Sequence, residues 1–417
     1  MKSLIVIGGG AAGMLAALCA ARNGASVTLI EKNEKLGKKL YITGKGRCNL
    51  TNACDTADFF KNVVTNPRFM YSSIYGFDQS AVMDFFEELG LKLKVERGNR
   101  VFPESDKSSD VIKALEKGLR ENGVRIMLNT VVKDVKTYND GEAARFKSVV
   151  LDDKDNTEIE ADGCFIATGG LSYPSTGSTG DGYRFGQETG HRVTDTFPSL
   201  TGLKTDEDTS EMEGLSLKNV VLSAYLDKKC IFMEMGELLF THNGVSGPLI
   251  LTLSALYTKE IRTGRVKLFI DLKPALDDGM LDSRILKDFG EIPNKVFANS
   301  LGKLLPSSMI PVVVRACGID PGKRVNAITR QERRKLLETI RAFPLSVRET
   351  GGYNEAVITK GGIDVKQIDP ATMESKLVKD LYFIGEVLDV DALTGGFNLQ
   401  IAWSTAYAAA GAFTAEI

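Results

Sequence analysis

The chain opens on a rapid change of period. Residues 4–7 are a short apolar run, which predicts a strand, and residues 14–22 are rich in Ala and Leu, which predicts a helix. A turn at Asn23-Gly24 separates that helix from a second apolar run, 26–30, which ends on Glu31. From Lys32 to Asn52 no apolar period is visible, and the stretch reads as a loop lying along a ligand. Residues 56–123 are mostly helical in pattern. Val82, Phe85, Phe86 and Leu89 share one face before Gly90, and Val111, Leu115 and Leu119 repeat the design before Asn122-Gly123. Between them, 97–103 reads as a basic turn. Short runs at 125–128, 131–135, 145–151 and 159–161, divided by Asp-rich turns, predict a small antiparallel meander.

A strand at 163–167 enters Thr168-Gly169-Gly170 and a long polar loop, 172–182, that contains Tyr173. The helix that follows, 183–189, closes at Gly190, and His191 reads as part of its cap. Near Phe197-Pro198 the pattern turns to strand-like runs at 217–222, 229–235 and 237–241, so a mostly β insert is expected. An apolar helix at 248–257, a strand at 266–272 and helices at 277–288, 296–304, 309–317 and 332–343 complete it. The last segment returns to strands, at 356–359 and 379–384, and then to a helix at 401–411. This repeats the opening grammar of strand, glycine turn and helix. The C-terminus is therefore expected to complete the first sheet of an α/β fold.

The chemistry suggested by the opening turn is specific. In Gly8-x-Gly10-x-x-Gly13, Gly8 permits the turn, Gly10 lets backbone approach a pyrophosphate, and Gly13 lets the helix pack close to the strand. Gly10, Ala11, Ala12 and Gly13 then offer the N–H groups of a helix start to phosphate. Glu31 suits the two hydroxyls of an adenosine ribose and would repel a 2′-phosphate, which selects FAD or NAD over NADP. In the polar stretch that follows, Lys32, Lys39, Thr43, Gly44, Gly46, Arg47, Cys48 and Asn49 are the cofactor-side candidates. Cys48 and Cys54 stand too far apart in sequence for the tighter pair usual in disulfide-reducing flavoproteins. Cys48 is expected to pack beside a flavin without exchanging electrons. Thr168, Gly169 and Gly170 form a second glycine turn toward the same dinucleotide. His242, one of two histidines, could relay a proton near neutral pH.

Composition narrows the class. The 417 residues carry 52 basic and 54 acidic side chains, a net charge of -2, so neither nucleic acid nor a membrane surface is an expected partner. The six cysteines are scattered, which fits a reducing cytoplasm, and no metal site is expected. Four glycines between Ile5 and Met14 argue against reading the apolar start as a signal peptide or anchor.

Four segments in order, 43–52 (TGKGRCNLTN), 167–182, 239–248 (LFTHNGVSGP) and 385–400 (GEVLDVDALTGGFNLQ), resemble a bacterial NAD(P)/FAD-dependent oxidoreductase family. That family includes aminoacetone oxidase-like and 3-dehydro-bile-acid reductase-like proteins. The resemblance spans essentially the whole chain. It implies FAD in a glutathione-reductase-like, Rossmann-like domain assembled from both chain ends, 1–192 and 350–417. A β-barrel at 193–272 and 324–349 would be inserted, carrying a helical subdomain at 273–323. It implies that Val132 meets the adenine region through its backbone, and that Gly385 and Glu386 approach the ribityl or pyrophosphate portion. Glu386 stands where the related motif has Asp. Gly396, Phe397, Asn398 and Leu399 would face the pyrimidine side of the flavin, and Tyr173 and His242 become the protonic candidates. No second glycine motif for a nicotinamide lies between 180 and 350, so NADH or NADPH, if it supplies electrons, would visit transiently.

The expected activity is hydride transfer between flavin N5 and a small or medium organic substrate, with NAD(P)H-dependent enone reduction as one form. An aminoacetone-like amine oxidase producing hydrogen peroxide is the alternative, and a flavin-bearing tRNA-modification or binding module is the alternative of another class. A monomer or homodimer is expected.

Overall fold

The structure, a computed structural model, describes residues 1–415. It divides into two compact units, Met1–Ser199 with Tyr353–Ile417, and Leu200–Gly352.

The first unit is built on Ser3–Ile7, which pairs in parallel with Gly163–Ile166 on one side and Ser26–Ile30 on the other. Among its described residues the sheet runs Leu381–Phe383, Gly163–Ile166, Ser3–Ile7, Ser26–Ile30 and Arg125–Met127. Leu4 to Ile7 are apolar without alternation because a central parallel strand is buried on both faces. The C-terminal strand does join this sheet, parallel to Gly163–Ile166. Helices Ala11–Arg22 and Phe397–Thr414 each bury most of their residues. Gly385 lies where they meet, since a Cβ there would come within 2.9 Å of Ala12 Cβ and 3.9 Å of Ala402 Cβ. The alanines of both helices thus serve close approach as well as helix propensity.

Several expected elements differ. Arg125–Met127 is the edge strand of the parallel sheet, and the antiparallel ladder consists of Val132–Asn139, Ala144–Leu151 and Glu158–Glu160. The expected basic turn at 97–103 is the end of a hairpin, Leu93–Glu96 with Arg100–Pro103, because Val101 and Phe102 are core residues. The expected loop contains a helical turn from Lys38, with Leu40 buried, before Thr43, Gly44 and Lys45 leave helical geometry. The last helix starts at Phe397 and not Ile401, since Gly396 in the left-handed region delivers Phe397 directly into it.

His191 is not a surface cap. Its ring is buried against Phe383, with Nδ1 3.0 Å from Thr189 Oγ1 and Nε2 2.6 Å from Ser375 Oγ. Burial lowers its pKa to about 4. The unfolded chain therefore binds one more proton than the native one between about pH 6.5 and 4. Stability is expected to fall through that window on acidification, by on the order of 2–3 kcal/mol from this group. His191→Gln, compared with the parent in urea unfolding at pH 7.5 and 4.5, should flatten the dependence.

In the second unit, among the described residues, six strands close a barrel in the order Leu203–Thr205, Gly244–Ser246, Lys229–Thr241, Ser216–Leu226, Val266–Asp271, Phe343–Thr350. Lys229–Thr241 is one continuous strand where two runs were expected, and Gly236 leaves room for Leu249 against it. Helices Asp278–Gly290, Ile310–Ala316 and Arg330–Arg341 share one apolar core with the barrel. Residues 296–304 hold only a short 3-10 turn, Phe297–Asn299, because Val296 is extended to bridge Arg324. A reciprocal Thr329/Glu332 capping box starts the last of these helices at Arg330, ahead of the expected 332, and Phe343 already belongs to the next strand.

Candidate dinucleotide site

The opening turn has three distinct environments at its three glycines. Gly8 has φ +105, and a Cβ there would lie 2.5 Å from the Ala167 carbonyl oxygen. A Cβ at Gly13 would collide with the Gly8 carbonyl oxygen, whereas one at Gly10 would have no atom within 4 Å. Two glycines are thus needed by the protein itself, and the third lies beside open space. That is the division of labour a pyrophosphate-binding turn requires. The first helix hydrogen bond is Met14 N–H to Gly10 C=O, so the N–H groups of the preceding first-turn residues have no intrahelical acceptor.

Glu31 is buried beside this turn. Its Oε2 accepts from Gly9 N–H at 2.7 Å, and its Oε1 accepts from Asn33 N–H at 2.8 Å and Asn33 Nδ2 at 2.7 Å. Val132 begins the neighbouring ladder and is also buried, two residues beyond Thr130, whose N–H donates to the Glu31 carbonyl.

A second cluster joins three separated parts of the chain. Lys39 Nζ lies 2.5 Å from Glu386 Oε2 and 2.6 Å from Ser172 Oγ. Glu386 Oε1 accepts from Ser172 Oγ at 2.8 Å and Thr359 N–H at 2.9 Å. Ser172 and Thr359 went unnoticed in the sequence because neither stands in a glycine motif. Around Gly169 and Gly170 the hydroxyls of Thr168 and Tyr183 are buried without a hydrogen-bond partner, as is Asn49 Oδ1. Orphaned buried polar atoms beside glycine turns are what a bound polar group or water would satisfy.

The stretch 43–52 is held from both sides. Lys45 and Cys48 adopt φ of 59° and 58°, in the left-handed region beside Gly44 and Gly46. Arg47 pairs with Glu96 and Asp106 at 2.5 Å each and stacks 4.1 Å from the Phe102 ring centroid, so its charge is spent on anchoring the turn to the hairpin. The Cys48 thiol is buried and its pKa is pushed up to about 12, and both Cys48 and Cys54 are free. Thr51 Oγ1 meets Gln400 Oε1 at 2.5 Å, Asn52 Nδ2 donates to the Gly395 carbonyl at 3.0 Å, and Trp403 Nε1 donates to the Leu50 carbonyl at 2.9 Å. These bonds fix the start of the C-terminal helix, where the N–H groups of Phe397, Asn398 and Leu399 precede the first helix bond, Gln400 N–H to Gly396 C=O. The Asn398 side chain is occupied with Ala392, accepting from its N–H at 2.9 Å and donating to its carbonyl at 2.7 Å. Phe397 is buried edge-on to Phe59. Only their backbone groups remain for a ligand.

In the same loop Asp391 is fully buried. Neither carboxylate oxygen has a hydrogen-bond partner, and Lys360 Nζ stands 4.0 Å from Oδ2. Burial raises its pKa, so the native state holds its proton to higher pH than the unfolded chain and loses stability as pH rises through that range. Asp391→Asn is expected to stabilise the protein by about 1–3 kcal/mol at pH 8 and by less at pH 5, measured by urea unfolding.

Of the protonic candidates, Tyr173 has φ +53, and its N–H donates to the Tyr353 carbonyl at 2.9 Å. His242, in the barrel unit, is exposed, with Nδ1 3.0 Å from Glu213 Oε2. Lys32 is drawn to Thr179 and Asp181.

Over residues 2–412 the sequence matches the family described as HI0933-like protein Rossmann domain. The chain belongs to this HI0933-like family. It is 29% identical to the 3-dehydro-bile acid delta(4,6)-reductase of Clostridium scindens over 412 residues, 98% of each chain. It is 32% identical to the ribosomal RNA dihydrouridine synthase of Haemophilus influenzae over 409 residues, 97% of each. Among solved structures it is similar to the 3-ketosteroid delta1-dehydrogenase of Sterolibacterium denitrificans, with a TM-score of 0.56, 14% identity and full coverage of both chains. That likeness concerns the fold. This HI0933-like chain is accordingly an FAD-dependent oxidoreductase with a Rossmann-like FAD-binding domain. Among its described residues no group of side chains could hold a metal, and no helix is long and apolar enough to cross a membrane.

Proposed function

We propose that this protein reduces a carbon–carbon double bond conjugated with a carbonyl, drawing electrons from NADH or NADPH. The observation that carries the reading is the chemistry shared by the relatives' names. A 4,6-diene beside a 3-ketone and the 5,6 double bond of uracil are both electron-poor alkenes conjugated with a carbonyl, and such alkenes can take hydride at the β carbon and a proton at the α carbon. When bound, FAD supplies the hydride chemistry.

The chain's residues would do the rest. Gly10 to Gly13 hold pyrophosphate by backbone N–H groups, and Glu31 accepts from the ribose hydroxyls. The Lys39–Glu386 pair offers both a donor and an acceptor to the ribityl or pyrophosphate portion. The N–H groups of Phe397 to Leu399 lower the cost of negative charge at the pyrimidine edge. His242, whose Nδ1 lies 3.0 Å from Glu213 Oε2, is one candidate proton source for the α carbon, with Tyr173 as the other.

The test is anaerobic stopped-flow absorbance of the holoenzyme mixed separately with NADH, NADPH and aminoacetone. Flavin bleaching by a nicotinamide supports the proposal, and bleaching by the amine alone would replace it with an oxidase. A second reading takes uracil within ribosomal RNA as the alkene, favoured by the RNA-named relative. It stands against the chain's balanced charge, and dihydrouridine in nuclease digests of incubated ribosomal RNA would select it.

A further inference from the structure

We propose that Asn33 is a positioning residue for the adenosine half of the cofactor. With Lys32 it clasps the loop 172–182 to the end of the second strand, so that loop and acid form one collar around the ribose. The inference rests on the reading of Glu31 as the ribose acceptor.

Every polar group of Asn33 is committed. Its N–H and Nδ2 both donate to Glu31 Oε1, at 2.8 and 2.7 Å. Nδ2 also donates to the Thr176 carbonyl at 3.1 Å, Oδ1 accepts from Lys38 Nζ at 3.1 Å, and the Asn33 carbonyl accepts from Asn129 N–H at 2.9 Å. The side chain therefore holds both the carboxylate and the loop, and the main-chain carbonyl of the same residue ties them to the segment after the edge strand. A neighbour fastens the far end of the same loop, since Lys32 Nζ lies 2.5 Å from Thr179 Oγ1 and 2.7 Å from Asp181 Oδ2. The loop reaches Asn33 only because residue 177 is glycine. A Cβ there would stand 2.5 Å from Asn33 Nδ2, and its φ of +104 disfavours any other residue.

The arrangement has a directional consequence. Two donors from Asn33 on Oε1 fix the carboxylate in one orientation. A dinucleotide seated at Glu31 lies where the clasped loop approaches residues 31–33, so release of its adenosine end requires the Lys32 and Asn33 contacts to open. The collar acts on the adenosine half alone. It should leave a mononucleotide flavin, which has no adenosine, indifferent to both residues.

The experiment measures FAD release from the holoenzyme by the rise in free-flavin fluorescence, and in parallel the affinity of the apoprotein for FMN, in Asn33→Ala, Lys32→Ala, Glu31→Ala and the charge-swapped pair Lys32→Asp with Asp181→Lys. Loss of hydrogen bonds to a charged group predicts FAD release roughly tenfold faster or more in the Asn33 and Lys32 variants. FMN affinity should be unchanged, and the swapped pair should recover slow release. If FAD release is unchanged, or if FAD and FMN weaken together, the collar is wrong. If Glu31→Ala leaves FAD as tightly held as in the parent, the placement of the ribose at Glu31 fails instead, and the two failures are told apart.

Discussion

Alanine at position 13 should give a protein that holds no FAD and that unfolds at clearly lower denaturant. The added methyl would meet the Gly8 carbonyl oxygen and lie 3.3 Å from Ala167 Cβ, so helix Ala11–Arg22 must lift from the strands it covers. Overpacking of this kind costs about 1–3 kcal/mol, and here more than a flexible side chain would, because the obstacle is backbone. Alanine at position 10 should behave oppositely. No atom lies within 4 Å of its Cβ, and its φ of -83° suits any residue, so the apoprotein should keep its stability within about 0.5 kcal/mol. Its FAD affinity should fall, because the methyl enters the space the pyrophosphate needs. Urea unfolding of the apoproteins with flavin titration of each separates the two glycines' duties.

The second large effect is expected at the chain's single tryptophan. Trp403 is fully buried, 5.3 Å from the Phe86 ring centroid, and its Nε1 donates to the Leu50 carbonyl. Trp403→Ala should cost about 3–5 kcal/mol through the cavity it leaves. Trp403→Phe fills much of that volume and leaves the Leu50 carbonyl unpaired, for about 1–3 kcal/mol. Since Leu50 belongs to the stretch whose backbone also meets Gly396, the phenylalanine variant should weaken FAD binding as well as the fold. Thermal unfolding with and without added FAD reads both.

The parts of the fold that the sequence made legible are those where one residue type answers one local demand. Gly8 and Gly13 follow from a turn and a close approach, and Glu31 ends the second strand buried beside that turn. The return of the C-terminus to the first sheet followed because the opening grammar is repeated there. What the sequence hid were positions set by partners far along the chain. Lys39 reads as one more cation in a loop along a ligand until Glu386 and Ser172 are seen beside it. Arg47 reads as a cofactor-side candidate in a glycine-rich stretch, yet Glu96 of the hairpin and Asp106 just beyond it claim it. His191 followed a helix-closing glycine and so resembled a cap. The strand and loop that bury it come from residues nearly two hundred positions later, which no local pattern announces.

The central claim is that the substrate is an electron-poor alkene and that the protein delivers hydride to its β carbon. The most direct test starts from holoenzyme reduced anaerobically with dithionite, mixed with a 3-keto-4,6-diene steroid, and follows the return of oxidised-flavin absorbance alongside the mass of the steroid. The account predicts reoxidation at a rate that rises with steroid concentration, and a product heavier by the two hydrogens of one saturated double bond. Flavin that stays reduced in the presence of the conjugated ketone, and of ribosomal RNA offered in the same way, would contradict it.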